Sequence, residues 1–344
     1  MKAPFLKSIF VLVLMFIFSL SLMTALPSFA NDGNINIVDE VMATKEYYRQ
    51  NKLILDDWQE TIACGAVRLL DGSITPSIPE ITEENKETSG IYAKIILVAL
   101  AQSNDPIIAE LDPIAKLISF QAENGSFGDI FSHMYSVIAL DAVKATYNSE
   151  GAINFLLSQK LPDGGYSYEG ATEGDLDTTG MVLTALAKYK DNSAVKAAIE
   201  EAKSFIHSKQ QENGGFVVFD ADNSNTLSVC IQGLVDVGEK VNSADWKNMA
   251  ASLIRFKNSD GSYKYAITDA EGYNAYATTQ ALMALSAIGS ESSPFKTLID
   301  KGTFSIVYHI EDYMTLIIIF IVLAALSLVF WGFIMFRKKP QVKK

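Results

Sequence analysis

Two carboxylates two residues apart, Asp175 and Asp177, stand just before the apolar run Met181 to Tyr189 and are followed by Thr178 and Thr179. At the start of a helix such side chains accept hydrogen bonds from free N–H groups and meet the positive end of the helix dipole. Asp177 then reads as a cap and Asp175 as the residue completing the turn. Facing the other way, the same pair is a polar contact for a ligand. The remaining reactive side chains are few. Three histidines, His133, His207 and His309, and two cysteines, Cys64 and Cys230, show no metal-ligand spacing. No serine elbow, phosphate loop or metal cluster is present, so no metal or cofactor is expected. His133 opens an apolar segment, where it serves as a solvated cap residue or faces a cavity.

A second set of residues surrounds the carboxylates at the expected starts of apolar helices. It comprises Tyr135, Tyr166, Tyr168, Phe219 and Asn225, and, later in the chain, Tyr273, Asn274 and Tyr276. Apolar bodies with a few polar tips suit a ligand mouth. The plainer alternative is that the aromatics, Tyr166 above all, are packing plugs of a repeat.

Helical spacing runs through most of the chain and strand alternation is scarce. Helices are expected over roughly 40–50, 53–70, 90–103, 107–122, 132–146, 149–160, 177–190, 193–210, 224–238, 243–257, 274–288 and 293–304. Four turns recur between them: Asn124-Gly125-Ser126-Phe127, Asp163-Gly164-Gly165-Tyr166, Asn213-Gly214-Gly215-Phe216 and Asp260-Gly261-Ser262-Tyr263. Gln121, Gln159 and Gln210 precede the first three, and Lys257 takes that place in the fourth. Asn/Asp-Gly supplies a turn with positive φ. The aromatic two residues after the first Gly can fill the gap between neighbouring helix pairs, and the Gln can bond to turn backbone. A single pair cannot bury both faces, so the pairs stack. The second helix of each pair is the more apolar, as in Met181 to Leu186 and Ala281 to Leu285. Those helices are expected to form an inner ring. The fold class is all-α: an α6/α6 toroid of about twelve helices.

The Gln…Gly-x-aromatic repeat resembles that of squalene–hopene cyclases, within the α/α-toroid superfamily of terpene cyclases and protein prenyltransferases, over about Trp58 to Ile288. Asp175-Leu176-Asp177-Thr178-Thr179 with Leu183-Thr184-Ala185-Leu186, and Ala277-Thr278-Thr279-Gln280-Ala281-Leu282, are similar to stretches of bacterial extracytoplasmic members related to the α domain of transcobalamin and intrinsic factor. That resemblance implies a corrinoid-type ligand. Two departures stand against it: Asn223-Ser224-Asn225-Thr226 lacks the Glu-Ser-Thr expected there, and no small β domain follows. The cyclase resemblance implies instead that Asp177 is a proton donor assisted by Asp175, although Thr178 stands where the cyclase motif carries its last Asp. Such an acid must stay protonated in a dry, aromatic-lined pocket. Prenyltransferase chemistry, which uses a zinc held by Asp, Cys and His, fits poorly, because Cys230 lacks a partner His in the following repeat.

The ends imply a location. Lys2 and Lys7, the apolar run from Ile9 and Ser28-Phe29-Ala30 read as a signal peptide over 1–30, followed by a flexible lead-in over 31–44. The toroid would occupy 45–305, with a short linker over 306–313. The uncharged run 314–336 is long enough to cross about 30 Å of hydrocarbon as a helix. The basic tail 337–344 then stays inside the cell. The expectation is a single-pass plasma-membrane protein with its domain outside. Of the 28 basic residues, two lie in the leader and five in the tail, which leaves 21 against all 40 acidic ones between them. That surface repels nucleic acid and anionic lipid. Cys64 and Cys230 are either one disulfide or two buried thiols.

The sequence thus points to a surface-tethered toroid that binds a small molecule without chemistry and hands it to a membrane transporter. A cyclase-like enzyme using Asp177 and an interaction scaffold with a filled centre are the alternatives.

Overall fold

The computed structural model describes residues 35–107, 111–270, 272 and 274–304. The signal peptide, the 314–336 span, the basic tail, His309 and Tyr273 lie outside the described residues. No helix among the described residues is long and apolar enough to cross a membrane.

Twelve α-helices are described: α1 (Ile37–Asn51), α2 (Trp58–Ala66), α3 (Ser89–Ala101), α4 (Pro113–Ser119), α5 (Ile130–Ala142), α6 (Ser149–Ser158), α7 (Leu176–Leu186), α8 (Ser193–Lys209), α9 (Ser224–Asp236), α10 (Met249–Ile254), α11 (Ala275–Ser290) and α12 (Pro294–Lys301). A two-residue hairpin, β1 (Val217–Val218) with antiparallel β2 (Ala221–Asp222), precedes α9. Helix α1 begins within the expected lead-in. Asn36 accepts from the Val38 N–H to cap it, and Tyr47 and Tyr48 bury against the ring. Three expected helices shrink. After Val67 the chain turns through Arg68 at positive φ, Pro113 starts α4 behind its cap Asp112, and Asn248 in the left-handed region starts α10.

The ring closes through packing of α2 on α3, α3 on α5, α5 on α7, α7 on α9, α9 on α11 and α11 back on α2. These six inner helices are apolar nearly all round; α3 is buried at every position except Lys94. Such a helix is stable only with protein on all sides. Helices α1, α4, α6, α8 and α10 stand outside them. Between α2 and α3 no outer helix forms. The run 67–88 returns in extended and turn conformation, held where Thr61 Oγ1 donates to Ser77 O (3.0 Å) and accepts from Ser77 N (2.9 Å).

Helix α12 belongs to neither ring. It packs against α2, α3, α5, α7 and α11, and its cap Ser293 donates from N and Oγ to Asp236 at the end of α9, both at 2.7 Å. It therefore touches all six inner helices at their C-terminal ends and stoppers that end of the toroid.

The aromatics and glycines of the repeat turns do what their composition predicts, whereas of the glutamines Gln121 and Gln210 do and Gln159 instead donates to Ser158 Oγ (3.1 Å). Phe127, Tyr166, Phe216 and Tyr263 are all fully buried plugs. A Cβ on Gly261 would stand 2.5 Å from the Ala43 carbonyl oxygen of α1, and φ there is +90°, so both the turn and the close approach require glycine. Gln210 donates to Gly214 O (3.1 Å) and Trp246 O (2.8 Å), and Gln121 makes the equivalent bonds to Gly125 O and Asn148 O. In the fourth repeat Lys257 instead pairs with Glu40 of α1, which ties the last turn to the first helix.

Candidate functional site at the open end

With α12 closing one end, the N-terminal ends of the inner helices form the other. Helical spacing lines up their inward side chains in layers. On α7, Asp177 stands one turn above Met181 and two above Thr184. On α9, Asn225 stands above Val229 and Gln232. On α11, Tyr276 stands above Gln280. Below the top layer lies a void of about 30 Å³, lined by Gln59, Tyr135, Ile138, Met181, Thr184, Val229, Gln232, Tyr276, Gln280 and Phe295. That is room for a water or two.

A polar belt crosses this level. Gln232 donates to Gln280 Oε1 (3.3 Å), Gln280 to Gln59 Oε1 (2.9 Å), and Gln59 to the Tyr135 hydroxyl (3.1 Å), whose own proton points at Met181 Sδ (3.8 Å). Five inner helices, α9, α11, α2, α5 and α7, are thereby linked. The floor is Phe295 of the stopper helix, with its ring 5.9 Å from Tyr135 and 6.1 Å from Trp58. Trp58, at the start of inner helix α2, meets Tyr135 edge-on at 5.0 Å, and the Lys94 ammonium lies over its ring at 5.5 Å.

The two carboxylates divide their work differently from the sequence expectation. Asp175, not Asp177, is the cap. It accepts from Thr178 N (2.7 Å), Thr178 Oγ1 (2.8 Å) and Ser167 Oγ (2.7 Å), which consumes its oxygens. Asp177 sits two positions further on, in the first turn of the helix, exposed to solvent. Burial by the surrounding walls raises its pKa, the Thr226 hydroxyl facing it pulls the other way, and Asp175 raises it further. Thr226 is itself fully buried. Burial, then Asp177 and Asp57, raise the Tyr276 phenol. Burial also raises Asp57, the cap of α2, while Lys94 holds it down.

Of the expected mouth residues, the structure brings Tyr135, Asp177, Asn225 and Tyr276 to this opening. Tyr166 is a buried plug, and Asn274 is occupied as the cap of α11, accepting from Ala277 N (2.9 Å). Tyr168 and Phe219 lie on the loops leading into α7 and α9, 64% and 92% exposed, with Phe219 at the tip of the β1–β2 hairpin. His133 is neither a solvated cap nor a cavity group. It is fully buried, its Nδ1 accepting from Phe127 N (3.2 Å) and its Nε2 donating to Ala152 O (3.1 Å), and burial lowers its pKa to about 4. Both cysteines are buried free thiols on separate inner helices. Sequence reasoning missed Gln59, Gln232, Gln280, Thr226 and Phe295. The 225/229/232 and 276/280 spacings carried the signal for Gln232 and Gln280; the place of Phe295 carried none.

A family model described as the prenyltransferase alpha-alpha toroid domain matches residues 10–187, and one described as the squalene-hopene cyclase C-terminal domain matches residues 156–242. Among solved structures, the chain is similar to the type II terpene cyclase MstE from Scytonema in its apo form, with a TM-score of 0.54 and 11% identity over 74% of this chain and 99% of that one. A variant of that cyclase in complex with its substrate, geranylgeranyl dihydroxybenzoate, matches with the same score and identity over 74% and 97%. A protein from Actinoplanes matches with a TM-score of 0.53 and 13% identity over 74% and 99%. At these identities the likeness is one of fold. No curated protein matches the chain.

Proposed function

Because the chain belongs to the prenyltransferase α/α-toroid family, we propose that it is a binding module of that family, working at the open end of its toroid rather than in the interior. The observation that carries this reading is Asp177: a carboxylate on the first turn of α7 that is exposed and not consumed as the helix cap, above an interior that retains about 30 Å³. In this proposal the protein is held at the outer face of the plasma membrane by residues 314–336 and passes its ligand to a membrane transporter. The resemblance of the Asp175 to Leu186 stretch to transcobalamin-type domains suggests a corrinoid, laid across the opening. The test is the full-length chain mixed with cyanocobalamin and passed through a desalting column. Co-elution of visible absorbance that weakens in Asp177→Ala and Tyr276→Ala supports the corrinoid. Free passage of the dye removes it.

A cyclase-like reading has one observation in its favour. Asp177 occupies the helix start where the cyclase resemblance places the acid, and its pKa is raised. The interior weighs against it. A polyene has no room to fold above Phe295, and the Gln59–Gln280–Gln232 belt would quench a carbocation that a cyclase must protect. Incubation with squalene-loaded vesicles tests it; a cyclised product lost in Asp177→Asn would establish the enzyme. The filled interior also supports a scaffold, in which the open end is a docking surface for a protein partner.

A further inference from the structure

The large apolar side chains that the described residues leave exposed are not scattered. Apart from Met42 on α1 and Ile107 after α3, they lie on the segments that enter the inner helices. Every inner helix contributes: Leu53 precedes α2, Ile78 precedes α3, Tyr168 precedes α7 and Phe219 precedes α9, while Phe131 and Tyr276 stand on the first turns of α5 and α11. Single exposed apolar residues need no explanation, but their confinement to one end marks an interaction surface. Backbone bonds hold part of this rim in place. Thr75 N donates to Leu53 O (2.8 Å) and Leu55 N to Thr75 O (3.0 Å), which sets Leu53 beside the segment carrying Ile78. Phe219 and Asp220 form the hairpin tip at φ +53° and +62°, a conformation that favours Asn and Gly. A phenylalanine there gains no burial and no turn stability.

The same segments are acidic. Glu80 and Glu84 flank the apolar stretch before α3, Glu169 and Glu173 follow Tyr168, and Asp220 follows Phe219, all exposed. Among the described residues none of these five makes an ion pair, whereas the rim lysines Lys52 and Lys86 are paired with Asp56 and Glu83. An acidic rim repels a second copy of itself and repels anionic lipid, and it attracts a basic surface. Apolar anchors interleaved with uncompensated carboxylates are complementary to an amphipathic segment in which Lys or Arg alternates with apolar side chains.

We propose that the open end of the toroid is the docking face for a basic, amphipathic segment of a partner protein, with Phe219 and Tyr168 among its apolar anchors and the rim carboxylates as counter-charges. The inference rests on the reading that the open end is the working face and gives that face a partner class.

The test is fluorescence anisotropy of labelled helical peptides with the full-length chain at low ionic strength. The probes are a Lys/Leu amphipathic peptide, its Glu/Leu and Lys/Ser analogues, and cyanocobalamin run separately through a desalting column. The Lys/Leu peptide is expected to bind at least about tenfold more tightly than either analogue, the scale of one apolar anchor or a few screened charges, and to weaken as salt is added. The double variant Phe219→Ser with Tyr168→Ser should weaken it by about tenfold, while Met42→Ser with Ile107→Ser, away from the rim, should leave it within about twofold. All four positions are exposed, so thermal melts should match the wild type. Equal binding of the Lys/Ser peptide would reduce the effect to bulk charge, and equal binding of the Glu/Leu peptide would mean an occupant that is merely apolar, lipid included. Self-association of the chain that Phe219→Ser abolishes would make the occupant a second copy. Each of these outcomes, or Lys/Leu affinity unchanged in the rim variant, overturns the proposal. Cyanocobalamin retention that weakens in Asp177→Ala, with no peptide bound, overturns the basic partner while leaving the open-end reading standing. If neither peptide nor corrinoid binds, both fall.

Discussion

Replacing Phe295 with Ala tests whether α12 is the stopper that fills this toroid. Phe295 is 7% exposed, and its ring touches the void between Trp58 and Tyr135 at 6.1 and 5.9 Å. Truncating a buried Phe costs about 3–5 kcal/mol through lost transfer energy and the cavity left behind. Two aromatic contacts, worth about 0.5–1.5 kcal/mol each beyond their area, push toward the upper end. The new space joins a void edged by Gln59, Gln232 and Gln280, so water can enter and hydrogen-bond there, which pulls the other way. The expected loss is about 3–4 kcal/mol, and Phe295→Leu, which nearly conserves volume, should lose under about 1.5 kcal/mol. Urea unfolding of the full chain, followed by helical circular dichroism, measures both. A Phe295→Ala protein within about 1 kcal/mol of wild type would show that α12 does not close the ring.

Asp236 makes stability depend on pH. Burial raises its pKa to about 6, against hydrogen bonds from Ser293 and Thr184. An acid whose folded pKa exceeds its unfolded value favours folding when protonated, so its contribution is fullest below pH about 4 and is lost as pH rises to about 6, at roughly 1.4 kcal/mol per unit. Asp236→Asn should remove that slope, read as the difference in unfolding free energy between the two proteins across this window. Gly261→Ala combines a positive φ with a Cβ 2.5 Å from Ala43 O and should cost roughly 2–4 kcal/mol, whereas Gly72→Ala, at φ +96° with nothing within 4 Å, should cost only about 1–2 kcal/mol. Equal losses in thermal melts would count against the packing of the fourth turn on α1. Tyr166 and Tyr263 bury hydroxyls without partners, and the first and third repeats use Phe there. Tyr166→Phe and Tyr263→Phe should therefore leave stability unchanged or raise it by about 1 kcal/mol; a clear loss would mean the hydroxyls are satisfied. Asp175→Ala should cost about 1–2 kcal/mol as a lost cap, and Asp177→Asn less than about 1 kcal/mol, because no cap bond is broken.

The ring itself was legible because the repeat writes its packing into local chemistry. A Gly that must turn at positive φ, an aromatic two residues on and a helix-terminal Gln each have one job, and Gly214, Phe216 and Gln210 do theirs as expected. Where a repeat lacks a residue the geometry still closes by other means, as with Lys257 and Glu40. The stopper was not legible. Pro294 to Lys301 has the spacing of any amphipathic helix, and nothing local says whether its apolar side meets the outside of a ring or its end. That is settled by Asp236, 57 residues earlier, which receives Ser293. The site was half legible for a similar reason. Asp175 and Asp177 are equally plausible caps by type. The backbone chose Asp175 because Asp175 N pairs with Tyr166 O (2.8 Å), fixing the extended residue that a cap requires and leaving Asp177 on the first turn.

That choice bears on what the toroid can do. An acid for alkene protonation needs its carboxyl dry and its product cavity apolar. Asp177 instead reaches solvent, and the space beneath it is spanned by three glutamines and floored by a phenyl ring. What remains at the open end is an exposed carboxylate on the first turn of α7, facing the buried Thr226 of the adjacent inner helix α9. Beneath them Gly180 and Gly233 bring the backbones of α7 and α9 so close that a Cβ on Gly233 would stand 2.1 Å from the Gly180 carbonyl oxygen, so the wall below Asp177 has no room for a ligand and any binding must happen at the helix starts.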